Sequence, residues 1–326
     1  MKLGTLRLEN RYILAPMQNV TTGPYRRFCR KFQKIGLVSV PMLYTKRIEK
    51  NPDTLVYDLY KIEEERPISV QLISSNPISL KKSIDYLESY SFDVLDINAG
   101  CPSRRAIKAK EGGYLLKNLE SLENLINTAI KNSSKPVSLK IRIGFENSNN
   151  IKEIAEIANN SGIDFLTVHA RTVKSFFERN TLNLEFVKKL KENLIIPLVG
   201  NGDISSPIAA KYFIDYTNVD ALMIGRETMG NPQIFNQIHE YFIQGKEILF
   251  KNDKNVMKQN IELYKKCLDE LLNGIILPRN INEYKFVELK RNSIWLAKGI
   301  KNSAIIRKQI SNSKNLEHLE LILNTI

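Results

Sequence analysis

Cysteine and histidine are both scarce in this sequence of 326 residues, which contains three of each. The cysteines, Cys29, Cys101 and Cys267, are far apart, odd in number and not arranged as CxxC. This pattern excludes a disulfide scaffold and predicts reduced thiols. No second histidine or carboxylate lies near His169 at the spacing typical of metal ligands, so we expect no metal site.

Long apolar runs are also lacking. The longest runs have the length of a strand, which argues against a transmembrane helix. Residues 1–5 lack the extended apolar segment of a secretory signal. We therefore expect a cytoplasmic protein that does not associate with a membrane.

Positive charge, in contrast, is in excess. Lysine and arginine together number 48 against 35 acidic residues, a formal net charge of +13. Such an excess favours polyanionic partners, of which nucleic acid is the usual one. A general compositional bias toward Lys, Asn and Ile would give the same excess without any ligand, so charge alone leaves nucleic-acid binding open.

Short apolar runs alternate with amphipathic stretches through the first 245 residues. This alternation is typical of parallel βα units, and eight such units predict a (β/α)8 TIM barrel over residues 1–245. A doubly wound open sheet is the alternative, but no GxGxxG follows the first run. The expected strands are residues 12–15, 37–40, 68–72, 94–97, 137–141, 165–168, 196–199 and 221–224, and the clearest amphipathic stretches between them are residues 80–88, 119–129, 151–158, 184–194 and 208–216.

A different pattern begins after Gly245. Long helical stretches at residues 256–273, 284–300 and 303–311 predict a C-terminal all-α helical domain over residues 246–326. Lys290 and Arg291 lie close to Trp295, the single tryptophan of the chain, and we expect this basic face to bind RNA. A solvated helix face without a ligand is the other interpretation.

Polar residues follow nearly all of the expected strands, and in a barrel these ends open on one face. Cys101 lies in the segment DINAGCPS (residues 96–103), on a loop after the fourth strand. A free cysteine thiol is mostly protonated at neutral pH, so it can act there as a general acid. The basic residues that follow, Arg104, Arg105 and Lys108, are suited to the phosphates of an RNA substrate.

Two glycine-containing loops follow the seventh and eighth strands, VGNGDI (residues 199–204) and IGRE (residues 224–227). Barrels commonly bind phosphate at these two places. Gly202 and Gly225 allow a close approach of the backbone, and Arg226 can pair with a phosphate.

Further candidates lie at the other strand ends. Lys140 could stabilise negative charge on a reduced isoalloxazine ring, and Gln71 and Asn98 offer amides suited to a flavin or pyrimidine edge. We expect His169 to hydrogen-bond to a cofactor or substrate. Pro16 and Met17 would bring backbone groups and an apolar surface to the ring.

These segments resemble the tRNA-dihydrouridine synthases, and most closely the bacterial B-type group. The matching motifs run in family order: LAPMQNVT (14–21), DINAGCPS (96–103), LKIRIGF (139–145), TVHARTV (167–173), VGNGDI (199–204) and MIGRETMGNPQIF (223–235).

The resemblance implies an FMN-containing barrel that reduces uridines of tRNA, expected in the D-loop, with NADPH or NADH as reductant. It also implies a helical domain that helps to hold the RNA, and we expect a monomer. Cys101 matches the proton donor of the family. The remaining matches are, for FMN, Pro16, Met17, Gln18, Gln71, Lys140, His169, Asn201, Gly202, Asp203, Gly225 and Arg226, and, for substrate, Asn98 and Arg171.

Two departures from the family pattern leave the modified position open. Gln18 and Asn19 replace the small residue and glycine that often follow Pro-Met, and KSFFER (residues 174–179) replaces the usual aromatic-glycine segment. The alternatives are an FMN barrel that reduces a small pyrimidine or enone, an enzyme for uridines of ribosomal RNA, and a non-catalytic RNA-binding barrel.

Overall fold

The protein forms a parallel barrel with helices around it and a helical region after it. The computed structural model describes residues 1–61, 63–248, 250–275 and 280–326. Its strands are β1 (Lys2–Leu3), β2 (Leu6–Arg7), β3 (Tyr12–Leu14), β4 (Val38–Ser39), β5 (Leu43–Tyr44), β6 (Ile68–Ile73), β7 (Val94–Ala99), β8 (Val137–Arg142), β9 (Phe165–His169), β10 (Leu198–Asn201) and β11 (Ala221–Ile224).

Helices follow most of the barrel strands. Those of the barrel region are α1 (Gly23–Arg30), α2 (Thr45–Lys50), α3 (Val56–Leu59), α4 (Pro77–Leu87), α5 (Arg104–Lys108), α6 (Leu119–Asn132), α7 (Ile151–Asn160), α8 (Leu184–Glu192), α9 (Pro207–Thr217) and α10 (Ile234–Gln244). Those of the C-terminal region are α11 (Lys254–Leu272), α12 (Ile281–Leu296), α13 (Ser303–Ser311) and α14 (Leu316–Thr325).

The parallel strands from β6 to β11 pair in chain order, and β3 closes the sheet against β11. Ile13 pairs with Met223 across that junction and forms a further parallel bridge with Leu37, next to β4. The predicted (β/α)8 barrel is thereby confirmed, with the expected strands within about two residues of their observed ends.

The amino-terminal end of the barrel is filled with apolar side chains. The antiparallel hairpin of β1 and β2 brings Leu3 into one buried cluster with Leu8 and with side chains from the first residues of three strands. Those side chains are Val94, Phe165 and Ala221. Chemistry is therefore confined to the opposite, carboxyl end of the strands, which is where such barrels place their sites.

The helical region packs on α1. The ring of Tyr264 on α11 meets the ring of Phe28 edge to face, with the centroids 5.5 Å apart. Glu288 on α12 is buried and accepts hydrogen bonds from Thr22 (2.9 Å) and Tyr264 (2.6 Å). These contacts bury both apolar and charged surface between the barrel and the helical region.

The expected stretches did not include six of the described helices, namely α1, α2, α3, α5, α10 and α14. Helix α1 contains the buried Arg26 and Arg27, which both pair with Glu65 at 2.9 Å. The final helix, α14, lies beyond the last predicted segment. None of the helices in the described ranges is long and apolar enough to cross a membrane.

Candidate active site at the mouth of the barrel

A cavity of about 1030 Å³ opens at the carboxyl ends of the strands. It gathers most of the predicted site residues in one place. Those that line it are Pro16, Met17, Gln18, Gln71, Asn98, Cys101, Lys140, His169, Asn201, Gly202, Asp203, Gly225 and Arg226.

A chain of buried amide and carboxylate groups orders one side of the cavity. The Gln71 side chain donates to Asp96 (2.6 Å), and Asn98 donates to the Gln71 carbonyl oxygen (2.8 Å). Ser138 donates to the other oxygen of Asp96 (2.7 Å). Burial raises the pKa of the Asp96 carboxyl group despite these donors. Asp96 was not among the predicted site residues, and it fixes the orientation of two that were.

Cys101 is held at the end of this chain. The Asn98 side-chain oxygen accepts from the backbone N–H groups of Gly100 (3.1 Å) and Cys101 (2.9 Å). Behind the loop, Gly112 has φ +59°, and a Cβ there would lie 2.9 Å from the Cβ of Cys101. The thiol is half-buried, contacts the Ser103 hydroxyl at 3.4 Å and faces the cavity. A positioned thiol at a cavity wall has the geometry that proton transfer requires.

Lys140 lines the same cavity as Cys101. Its ammonium donates to the Asn201 side-chain oxygen (3.3 Å), and Asn201 donates in turn to the Met223 carbonyl (2.7 Å). Desolvation lowers the pKa of Lys140 to about 8, against the opposing attraction of the Asp96 carboxylate. The side chain lines the cavity and is directed at whatever occupies it.

His169 is buried beside a group of cations. Desolvation and then the positive charges of Lys140 and Arg142 lower its pKa far below the usual range. The imidazole is consequently neutral at physiological pH, and it can donate from one nitrogen and accept at the other.

The Asp203 carboxylate at the cavity wall accepts hydrogen bonds from two arginines. Its Oδ1 accepts from Arg171 (3.0 Å) and from Arg226 (2.7 Å), and the Arg171 hydrogen bonds lower the pKa of Asp203. Arg171 was expected to contact substrate, but it is 1% exposed and does not line the cavity. Its guanidinium instead holds Asp203 from behind, so its contribution to any ligand is positional.

The other predicted substrate residues lie outside the cavity. Arg104, Arg105 and Lys108 are exposed on α5, close to Cys101 in sequence, with Arg105 over the Tyr44 ring at 4.0 Å. They are free to meet a large ligand at the rim.

The two tail residues are placed differently. Lys290 donates to the Ser313 carbonyl (2.8 Å), and Arg291 pairs with the buried Glu288. Both make internal contacts in this structure and are half-buried, so their role in RNA binding stays a prediction.

Sequence reasoning missed several residues of the cavity wall. Arg142 ends β8, Phe177 and Arg179 follow β9, and Lys298 comes from the C-terminal region. Lys298 pairs with Glu227 at 3.8 Å. Basic or aromatic residues after strand ends could have pointed to the first three, whereas the position of Lys298 depends on how the tail docks. Among the described residues, no group of three or more His, Cys, Asp or Glu side chains could hold a metal ion.

Comparison with known proteins connects this site to one family. A model of the dihydrouridine synthase family matches residues 13–325. The tRNA-dihydrouridine synthase B of Pasteurella multocida is 36% identical over 267 residues, covering 80% of each chain. That of Vibrio vulnificus is 32% identical over 291 residues, covering 87% of this chain and 89% of the relative. The protein of the same name from Escherichia coli is 32% identical over 246 residues, covering 75% and 76%.

Among solved structures, the barrel resembles two enzymes of low sequence identity. Morphinone reductase superposes with a TM-score of 0.52 at 13% identity, covering 78% of this chain and 92% of that one. Histamine dehydrogenase from Rhizobium sp. 4-9 gives a TM-score of 0.57 at 12% identity, covering 82% and 50%. At such identity the likeness concerns the fold.

Proposed function

Because the chain belongs to the dihydrouridine synthase family, we propose that it reduces uridines of tRNA to 5,6-dihydrouridine at the barrel mouth. FMN is the proposed cofactor, and NADPH or NADH the reductant. One observation carries the proposal: the Cys101 thiol opens into the same cavity as the Lys140 ammonium and the Gly225–Arg226 loop. A proton donor thus faces a site suited to a phosphorylated, electron-accepting ring.

The residues present fit FMN. One end of the cavity offers the half-exposed guanidinium of Arg226 and the ammonium of Lys298, which suit a phosphate dianion. The other end offers the Lys140 ammonium and neutral amides, which suit the polar edge of an isoalloxazine ring. Met17 and Met42 add polarisable apolar surface to the cavity wall.

Bound FMN would supply hydride transfer from the nicotinamide to C6 of the uracil. Lys140 would stabilise the negative charge of the reduced ring, and neutral His169 would hydrogen-bond to it. Cys101 donates its proton to C5, so that the C5=C6 bond gains one hydride and one proton. Solvent then returns a proton to the half-buried sulfur.

Asn98 has two roles in this proposal. Its oxygen is fully used in holding the Cys101 loop, and one N–H is used by Gln71. The second hydrogen of Nδ2 has Met42 Sδ, 3.8 Å away, as its acceptor in this structure. A carbonyl oxygen of the target uracil is a better acceptor, so substrate binding would exchange a weak contact for a normal hydrogen bond.

The target uridine must leave its stack to enter the cavity, because its C5=C6 bond is inaccessible within a folded RNA. We propose that Arg104, Arg105 and Lys108 contact phosphates near that nucleotide, and that a D-loop uridine is the target. In this scheme residues 1–245 form the catalytic domain and residues 246–326 an RNA-recognition domain. A monomer acting on tRNA in the cytoplasm is the expected form.

The test is to map dihydrouridine in total RNA from cells that lack the gene, from wild-type cells, and from cells complemented with Cys101→Ala. We expect specific tRNA positions to lose dihydrouridine without the gene and to stay unmodified with the variant. Loss confined to ribosomal RNA would replace the tRNA assignment with the ribosomal alternative. An unchanged dihydrouridine map would refute the proposed function.

A further inference from the structure

Two adjacent phenylalanines follow β9 in the loop that departs from the family pattern. Phe176 and Phe177 are 45% and 47% exposed. Phe177 lines the mouth cavity, whereas Phe176 does not. Single exposed apolar side chains are ordinary, but a half-exposed aromatic ring at the rim of an active site is positioned to contact a ligand.

The surroundings of the Phe177 ring are polar and cationic. The guanidinium carbons of Arg226 and Arg142 lie 4.7 and 5.0 Å from its centroid. The His169 ring centroid lies 5.9 Å away, with the planes inclined by 35°. The exposed part of the ring therefore borders both the proposed flavin site and a group of positive charges.

The backbone that carries the ring is fixed on both sides. Arg142 donates to the carbonyl of Phe176 (2.5 Å), and Arg171 donates to the carbonyl of Glu178 (3.0 Å). Both arginines are almost fully buried, and a buried guanidinium is costly unless it is bonded. Their bonds end on the residues immediately before and after Phe177. The ring is thus held at the rim before any ligand arrives, which reduces the entropy lost on binding.

We propose that Phe177 is the stacking platform for a nucleobase of the RNA substrate adjacent to the target uridine. When the uridine leaves its stack, its neighbour loses a stacking partner, and an exposed aromatic ring can replace it. The nearby Arg179 suits the phosphate of the same nucleotide. A stacking role accepts any base, because every base has a π face. This inference rests on the proposed RNA substrate.

The test compares four variants by their KM and kcat on tRNA and by their dissociation constants for tRNA and FMN. Phe177→Ala removes the ring, Phe177→Leu keeps apolar bulk without a π face, and Phe177→Trp keeps the π face. Phe176→Ala is the matched control, because it is the same change at an equally exposed neighbour outside the cavity. We expect Phe177→Ala and Phe177→Leu to raise KM for tRNA roughly tenfold. Phe177→Trp and Phe176→Ala should resemble the wild type.

Several results would overturn the inference. If Phe177→Leu matched the wild type, the ring would contribute only apolar bulk and not stacking. If Phe177→Ala weakened FMN binding and left the KM for tRNA unchanged, the ring would contact the cofactor and not the RNA. If Phe177→Ala changed neither the KM for tRNA nor the binding of FMN, the ring would have neither role. A wild-type protein that binds tRNA and forms dihydrouridine keeps the proposed function intact in each of these cases. A wild type that binds no tRNA would overturn both proposals.

Discussion

The ion pair between Arg171 and Asp203 predicts an asymmetric response to mutation. The Arg171 side chain is 1% exposed, whereas that of Asp203 is 38% exposed. Asp203→Asn keeps the shape of the side chain at a backbone φ of +47°, which asparagine tolerates, but it removes the negative charge. The Arg171 guanidinium would then be buried next to Arg142 and Arg226 without a counter-charge.

Leaving a buried charge unpaired typically costs 3–5 kcal/mol. The partial exposure of Asp203 and the acceptor retained by asparagine place the expected loss of unfolding free energy near the lower end, at about 3 kcal/mol. Arg171→Met instead leaves Asp203 in contact with water and Arg226. The Glu178 carbonyl keeps its bond from Thr181 (2.8 Å). The expected loss for this change is therefore within about 1 kcal/mol.

The assay is urea unfolding of the flavin-free protein, with linear extrapolation to water. Arg226→Met serves as the control, since that side chain is half-exposed and its loss strands no buried charge. The double variant should recover most of the loss caused by Asp203→Asn, giving a coupling of roughly 2–3 kcal/mol. Equal losses for Arg171→Met and Asp203→Asn, or simple additivity in the double variant, would refute the reasoning.

Three further predictions concern the cavity itself. Cys101→Ala should keep FMN and tRNA binding and lose ~10²–10⁴-fold in turnover, measured as dihydrouridine formed per enzyme; wild-type rates in this variant would contradict the acid assignment. Lys298→Ala should weaken the binding of FMN but not of riboflavin, which lacks the phosphate, in fluorescence titrations. Lys301→Ala, at an exposed position, is the control, and equal effects on both flavins would refute the contact between Lys298 and the phosphate. Because burial lowers the pKa of Lys140 to about 8, the folded protein binds fewer protons than the unfolded chain between pH 8 and 10.5. The free energy of unfolding of the flavin-free protein should therefore rise with pH across this range. Lys140→Met should lack this contribution to the rise. Identical pH profiles for the two proteins would contradict the lowered pKa.

The barrel and most of its mouth could be predicted because both depend on local patterns. Strand-length apolar runs, and polar residues directly after them, are visible in the chain, and the topology of a barrel brings such residues together. Cys101, Lys140 and Asp203 were found in this way. Their hydrogen-bond partners could not be found, because the pairing of Gln71 with Asp96 or of Arg171 with Asp203 depends on neighbouring strands and loops.

The contacts of several charged residues could not be predicted for the same reason. Lys290 and Arg291 look like a basic surface in the sequence, but the packing of α12 turns them toward internal acceptors. Helix α1 carries two adjacent arginines that are buried because the carboxylate of Glu65, distant in sequence, pairs with both. Long-range partners thus decide which charged residues are available to a ligand.

The buried Glu288 has a consequence for exchanging parts between relatives. Its carboxylate is shared by Thr22, just before α1, and by Tyr264 in α11, so neither side of that contact is complete alone. A chimera that grafts a foreign tail without a matching acceptor onto this barrel would leave the buried Thr22 hydroxyl without its hydrogen-bond partner. The outer surface of the tail is free to diverge, whereas its inner surface can change only together with the first helix of the barrel.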